Sequence, residues 1–305
     1  MKKDRIKTLD VAKGLCILQV ICFHTLIPYV GTGYFVSISL PTFIFISGYF
    51  YKNGIQVLFK SIDKLVIPYF STFFLFNIMY FCFYHKFVIP RSIWFLYVLF
   101  MCVLLYYLIT LLVKNKTIIK TAIVLLCSWG GYLLDSAYNY PPFQMGSILS
   151  SIIFFHAGSL MSSYDKHIWE KPILCYISIV IFSVFCVFYF NKGSFIYIYS
   201  LCINHFEVNW VLSMIIIFSG IITILYISNK LEGLVTLNYM GQYSMIILCY
   251  HIFILFFDNH YFGTFLILAI MPVVIPLIRL ILPKLYGVTP SLGTYLMNRY
   301  KVNSQ

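Results

Sequence analysis

The sequence predicts an all-α membrane protein: a polytopic bundle of about ten transmembrane helices, with both the amino and the carboxyl terminus in the cytoplasm. Two properties of the 305 residues predict it. Hydrophobic residues make up 61% of the chain and charged residues only 10%, whereas soluble domains are roughly half apolar and a quarter charged. The basic residues also crowd into alternate gaps between the apolar runs, as the positive-inside rule requires. We expect residues 1–305 to form a single membrane domain.

A transmembrane helix needs about 20 apolar residues to cross a hydrocarbon core of about 30 Å. Runs of this kind follow one another through nearly the whole chain and leave no room for a soluble domain. In order, the predicted spans are roughly 11–30, 34–51, 65–84, 92–113, 117–134, 147–163, 172–190, 209–228, 236–257 and 262–282. Residues 194–203 could form an additional re-entrant or interfacial segment.

The basic residues support this topology. Only three of the 21 lysine and arginine residues fall in gaps predicted to lie outside, namely Lys86, Arg91 and Lys192. The others fall inside if the amino terminus is cytoplasmic. The net charge of +12 is therefore explained by topology, and we do not expect nucleic acid as a partner. Heavy use of Phe, Tyr, Ile and Lys is typical of bacterial genomes of low GC content, so the predicted location is a bacterial cytoplasmic membrane.

The acidic residues and the cysteines argue against some classes of function. None of the nine acidic residues lies at the centre of a predicted span, which weakens an ion-coupled transporter because such proteins usually place a carboxylate there. The nine cysteines lie in or beside apolar runs without a Cys-x-x-Cys pair. We therefore expect small buried hydrophobic side chains, and neither disulfides nor a metal site. The first apolar run is too long for a removable signal peptide, and we expect it to remain as a helix.

The first span carries a histidine, His24, two-thirds of the way along it. A histidine in hydrocarbon is a functional-site hypothesis by default, although a hydrogen bond to a neighbouring helix would also explain it. Asp10 lies on the same helical face, but a rise of about 1.5 Å per residue puts it roughly 21 Å away. Asp10 therefore belongs at the cytoplasmic start of the helix. There it either anchors the helix and pairs with Arg5 or Lys13, or contacts substrate.

The segment that leads into His24 reads Arg5-x-x-x-Leu9-Asp10-x-x-Lys13-Gly14. Such a segment before an apolar, histidine-bearing helix resembles the opening of the acyltransferase 3 family, and of its fucose 4-O-acetylase-like group. Five later segments match the family in the same order: Pro41-Thr-Phe43-Ile-Phe45-Ile-Ser47-Gly48-Tyr49-Phe50, Lys64-Leu-Val-Ile-Pro68-Tyr69, Trp94-Phe95-Leu96, Phe154-Phe155-His156-Ala-Gly158, and Gly241-x-x-Ser244 with Tyr250-His251. The direct step from Tyr250 to His251 departs from the family's spacing.

The resemblance implies transfer of an acetyl or other short acyl group from cytosolic acyl-CoA to a sugar hydroxyl of a capsule, O-antigen or exopolysaccharide. It makes His24 and His251 the candidate catalytic residues, with His24 as general base. The implied contacts to substrate or acyl-CoA are Arg5, Asp10, Lys13, Ser47, Tyr49, Lys64, Trp94 and Ser244. No bound cofactor is expected, since acetyl-CoA or another acyl-CoA is the donor substrate. The partners are this donor, a glycan or lipid-linked glycan acceptor and the bilayer, and homo-oligomerisation stays open.

Several of these candidate residues could have more than one role. The oxyanion of the reaction needs hydrogen-bond donors, for which the candidates are Ser47, Tyr49, Ser244 and Tyr250. Acyl-CoA phosphates need cations, and Arg5, Lys13, Lys52 and Lys64 lie on the inner side, although topology alone explains most of them. Trp94 can equally be an interfacial anchor, and His156 a packing residue. The acidic partner of the histidine would be Glu207 or Asp258.

Two questions remain open at the level of the sequence. Both candidate catalytic histidines lie nearer the outer leaflet, whereas the donor is cytosolic. Either the pantetheine arm threads inward between the helices, which is our hypothesis, or the acyl group is relayed across the membrane. The rival function is a polysaccharide or lipid-linked-sugar exporter or flippase without acyl-transfer activity.

Overall fold

The computed structural model describes residues 6–26, 32–86, 94–114, 116–137, 142–164, 168–190, 199–200, 204–206 and 208–251, and beyond these 275–277, 280, 293 and 295–297. The described chain is mostly helical. Its α-helices, in order, are α1 (Lys7–Leu26), α2 (Thr32–Tyr49), α3 (Gln56–Ser61), α4 (Ile67–Tyr84), α5 (Trp94–Val113), α6 (Thr117–Ala137), α7 (Met145–Tyr164), α8 (Pro172–Phe190), α9 (Trp210–Lys230), α10 (Val235–Gln242) and α11 (Ser244–Tyr250). A π-helical segment, Ile62–Val66, joins α3 to α4, and short 3-10 turns precede α7 and α8 at Pro142–Gln144 and Ile168–Glu170.

Five described helices are long and apolar enough to cross a membrane: Gln56–Cys82, Trp94–Val113, Thr117–Leu134, Met145–Ser162 and Trp210–Lys230. Two shorter apolar helices cover Ser37–Tyr49 and Pro172–Phe188. These findings confirm a helical membrane protein. The count of about ten spans and the cytoplasmic position of both termini stay predictions, and most of the predicted span 262–282 lies outside the described residues.

Three segments differ from the expected spans. The third span begins earlier than predicted, because α3 and the π-helical segment extend it back to Gln56. The ninth span, predicted as one helix over 236–257, is interrupted at Tyr243, where φ is −109° and ψ is 15°. Within 194–203, the described residues Tyr199–Ser200 form β1, which pairs in antiparallel fashion with β2, His205–Phe206.

The chain divides into two compact units. The first comprises residues 1–50 and 121–244, and the second residues 51–120 and 245–305. In the first unit, α1 packs against α2, α9 and α10, α2 packs against α7, and α8 packs against α9. Leu9, Ile17, Ile21, Ile38 and Ile44 are fully buried there. Exposed aliphatic side chains on α6 and α8, such as Leu126 and Val184, suit a lipid environment.

The second unit contains a buried carboxylate. Asp63 lies in the π-helical segment and is 7% exposed. Its Oδ1 accepts a hydrogen bond of 2.6 Å from the backbone N–H of Gly293, and a Cβ on Gly293 would lie 2.8 Å from that oxygen. Asp63 therefore fixes a carboxyl-terminal residue against the start of a long helix. π-Helical turns occur preferentially at functional sites. The contact that this one makes is structural, because it holds Gly293 beside Asp63.

Candidate functional site

The crossing of α1 and α10 brings together the first and last family-like segments. A side chain on Gly14 would overlap the carbonyl oxygen of Leu237, and a side chain on Gly241 would overlap the carbonyl oxygen of Asp10. Small residues at such a crossing let two backbones approach closely, so that dispersion contacts hold the helices together in a bilayer. The two glycines therefore have a packing role that fixes the position of Asp10.

Polar contacts cluster at the start of α1. Lys13 Nζ lies 2.6 Å from Asp10 Oδ1, and Asp10 is buried whereas Lys13 is partly exposed. Two residues before Asp10, the hydroxyl of Thr8 donates to Glu232 Oε1 in the turn after α9. The predicted pairing of Asp10 with Lys13 is thus present. Arg5, its other predicted partner, lies outside the described residues.

The crossing of α2 and α7 brings together two further family-like segments. A Cβ on Gly48 would lie 2.9 Å from the Cα of Phe155, and a Cβ on Gly158 would lie 2.9 Å from the backbone nitrogen of Tyr49. Each glycine therefore faces the backbone of the other helix. As at the first crossing, segments far apart in sequence form one helix pair.

Two candidate donors lie on α2 beside this crossing. The hydroxyl of Ser47 donates to the carbonyl oxygen of Phe43 at 2.8 Å, a bond within its own helix. Tyr49 is 7% exposed, and its ring packs against that of Trp169 with centroids 6.0 Å apart. To stabilise an oxyanion, Ser47 would have to turn away from its local acceptor.

His24 lies in the last turn of α1 and is partly buried, with its ring edge-to-face against that of Phe23 at 5.4 Å. Between Asp10 and His24, the polar side chain of Gln19 accepts a hydrogen bond from the buried hydroxyl of Ser39 on α2. The first helix thus carries polar groups at its start, its middle and its end. His24 is the titratable one nearest the predicted outer leaflet.

His251 and the residues near it belong to the second unit or to its boundary. His251 is 2% exposed, and its Nδ1 lies within hydrogen-bond distance of the carbonyl oxygen of Leu248. Ser244 begins α11 and is buried, and Tyr250, which ends α11, is partly buried. His251 is the last residue of this stretch that the structure describes.

A family model described as an acyltransferase domain, acyltransferase 3, matches residues 6–282. The chain belongs to the acyltransferase 3 family. No curated protein and no solved structure matches it significantly. The match confirms the resemblance to the family, over a range that includes both glycine crossings, and the fucose 4-O-acetylase-like group stays a prediction.

The other predicted residues of this acyltransferase 3 chain that the structure describes lie on different elements. Lys52 and Lys64 are exposed, and Trp94 begins α5 with its ring edge-to-face against Phe95. Glu207 and Asp258, the candidate acidic partners of the histidine, lie outside the described residues.

His156 has a partner that the sequence did not reveal. This buried histidine of α7 lies 2.9 Å, through Nε2, from the hydroxyl of Thr121 on α6. Helix packing is the structural role considered for His156 from sequence, and this hydrogen bond joins it to a neighbouring helix. Its partner was hidden because Thr121 belongs to no recognisable motif.

An aromatic cluster in the second unit was also missed. The ring of Tyr51 meets that of Tyr106 edge-to-face at 5.0 Å, and Lys120 Nζ lies 5.6 Å from the Tyr106 centroid. Tyr51 is partly buried in this cluster. The sequence offered one hint of this cluster, since Tyr51 directly follows the family-like segment that ends at Phe50.

Proposed function

We propose that this protein is a bacterial membrane O-acyltransferase that moves an acetyl or other short acyl group from cytosolic acyl-CoA to a sugar hydroxyl of a cell-surface polysaccharide. The observation that carries the proposal is the family match over residues 6–282, joined to a histidine, His24, in the last turn of the first apolar helix. The glycine crossing at Gly14 and Gly241 packs that helix closely against α10.

The chemistry assigns two proton transfers to His24. The sugar hydroxyl oxygen attacks the thioester carbonyl carbon while a neutral imidazole nitrogen takes the hydroxyl proton. The tetrahedral intermediate then expels the CoA thiolate as the carbon–sulfur bond breaks, and the imidazolium returns its proton to that sulfur. A neutral imidazole suits both steps, because it can take up a proton and return it near neutral pH. Ser47, Tyr49, Ser244 and Tyr250 are the proposed donors to the oxyanion, and His251 is the second proposed catalytic residue.

The donor would be held from the cytoplasmic side. Lys64 and Lys52 are exposed and are the proposed contacts for the anionic phosphates of acyl-CoA, together with Arg5. Lys13 is committed to Asp10 at 2.6 Å, so a phosphate would have to compete with that carboxylate. The pantetheine arm would then thread between the helices toward His24.

The test is acyl transfer in membranes that contain the protein. Isolated membranes are incubated with radiolabelled acetyl-CoA and host polysaccharide, and the label on the purified polysaccharide is counted. Label above that of membranes lacking the protein is expected. If no acyl-CoA of a short-chain series gives label although the protein inserts normally, acyl transfer is rejected in favour of the exporter.

A further inference from the structure

An open groove of about 550 Å³ lies in the first unit between the second half of α6 and the start of α9. Its lining residues are Trp129, Tyr132, Asn209, Trp210, Val211, Leu212 and Ile215. This volume is within the range of about 300–1,000 Å³ typical of small-molecule sites. The end of α6 and the start of α9, which together form the groove, are predicted to lie at the outer face of the membrane. Three aromatic rings, three aliphatic side chains and a single amide thus line the groove.

Two of the three aromatic rings are held in place by contacts inside the unit. Trp210 Nε1 donates to Ser128 Oγ at 3.1 Å, and Ser128 Oγ donates to the carbonyl oxygen of Ser150 at 3.1 Å. The ring of Tyr132 meets that of Phe206 edge-to-face at 5.2 Å. The orientation of Trp210 and Tyr132 is therefore set by contacts within the protein.

The β1–β2 segment is fastened to the same place. Asn204 is 1% exposed, and its amide Nδ2 donates to the carbonyl oxygen of Gly131 at 2.8 Å. Gly131 itself lies so close to α7 that a Cβ would come within 2.5 Å of the backbone nitrogen of Ser150. The wall of the groove is thus braced from α7 as well as from the segment before α9.

The groove presents both an aromatic face and an amide. Trp129 is 49% exposed, so a large part of its indole is available to a ligand. Asn209 is exposed, and its Oδ1 accepts the N–H of Leu212 at 2.9 Å as the amino-terminal cap of α9. The amide of Asn209 also carries two N–H donors. A flat apolar surface beside a fixed amide matches a sugar ring, which has C–H bonds on one face and hydroxyls at its edge.

We propose that this groove binds one or two pyranose rings of the acceptor glycan. The proposal rests on the proposed function, which requires a sugar acceptor at the membrane. The ring C–H groups pack on the indole of Trp129, since an aromatic face carries negative charge density and the contact removes apolar area from water. The sugar hydroxyls receive hydrogen bonds from the amide of Asn209, and Tyr132 and Trp210 form the walls.

Binding is measured without catalysis. Purified protein in phosphatidylglycerol–phosphatidylethanolamine nanodiscs is titrated with oligosaccharides released from the host polysaccharide, and tryptophan fluorescence is recorded. Two of the four tryptophans line the groove, so a saturable change is expected. Trp129→Ala should weaken binding about tenfold or more, and Trp129→Phe should restore most of it. Leu126→Ala, at a 65% exposed position on the same helix, should bind like wild type.

Results of two kinds would contradict the proposed sugar site. Equal affinity in wild type and Trp129→Ala, or absence of saturable binding in wild type, would overturn the sugar site and leave the groove as a lipid contact.

The same variants are then compared in acyl transfer. A raised KM for polysaccharide with an unchanged KM for acetyl-CoA is expected in Trp129→Ala, and unchanged values for both would overturn the subsite. Because binding is measured without acyl-CoA, loss of the proposed acyl transfer alone leaves the binding result interpretable.

Discussion

Gly14 and Gly241 face each other across the crossing of α1 and α10. A Cβ built on Gly14 would lie 3.3 Å from the backbone nitrogen of Gly241, and a Cβ built on Gly241 would lie 3.0 Å from that of Gly14. Neither helix can therefore accept a side chain here without moving away from its neighbour. Since α1 carries both Asp10 and His24, this contact links helix packing to the candidate catalytic residue.

The first prediction concerns this crossing. We expect Gly241→Ala to lower the free energy of unfolding by about 1–3 kcal/mol, the usual cost of overpacking, because the new methyl group meets backbone that cannot rotate away. Thermal unfolding of the purified protein in detergent measures it. Gly130→Ala is the matched control: a Cβ at Gly130 meets no atom within 4 Å, and alanine is the better helix former. Equal midpoints for the two variants would contradict the close approach.

The second prediction concerns the crossing of α2 and α7. Gly48→Ala and Gly158→Ala should each destabilise the protein, since each new methyl group meets the backbone of the opposite helix. Once one substitution has pushed the helices apart, the other costs less, so we expect the double variant to be destabilised by less than the sum. A thermal-unfolding double-mutant cycle measures this coupling. Strictly additive losses would mean that the two glycines do not share one contact.

Hydropathy predicted the positions of helices well where a span is uninterrupted. The expected span 172–190 coincides with α8, Pro172–Phe190, and 92–113 nearly coincides with α5, Trp94–Val113. The interruption at Tyr243 was not predicted, although the small or polar residues Gly241, Gln242 and Ser244 surround it and glycine weakens a helix. The π-helical segment Ile62–Val66 was hidden, because a change of hydrogen-bond register leaves no mark on composition.

The sequence predicted which residues are unusual, and the structure adds which of them meet. Gly48 and Phe155 belong to two separate family-like segments, and only the structure shows that they meet across α2 and α7. Likewise His156 was considered a packing residue, while its partner Thr121 was not recognised. Tertiary partners depend on how helices are arranged, which periodicity within one helix does not encode.

The third prediction concerns the ion pair on α1. Lys13→Gln should cost about 1–3 kcal/mol of stability, because it leaves the buried Asp10 carboxylate without its cation at 2.6 Å. The double variant Asp10→Asn/Lys13→Gln should recover part of that loss, since it removes the buried charge as well. Thermal unfolding of the two variants decides the point. A double variant no more stable than Lys13→Gln would contradict the pairing.

The fourth prediction separates a structural histidine from a catalytic one. Thr121→Val removes the hydroxyl that lies 2.9 Å from His156 Nε2 and should cost about 1 kcal/mol of stability. Acyl transfer per folded molecule should not change. Thr223→Val serves as control, because the hydroxyl of Thr223 donates to the carbonyl of Ser219 in its own helix at 2.8 Å. A fall in turnover without a fall in stability would instead give His156 a role in the reaction.

The most direct test of the account compares two histidine variants in the radiolabelled acetyl-CoA assay, with equal amounts of inserted protein. His24→Ala should lower the rate of label transfer to polysaccharide by about 10²–10⁴-fold, the usual contribution of a general base. His85→Asn is the control: His85 is exposed at the end of α4 with φ of 53°, a conformation that asparagine tolerates, and it should transfer label like wild type. Full transfer by inserted His24→Ala would contradict the central claim that His24 is the base of an acyltransferase.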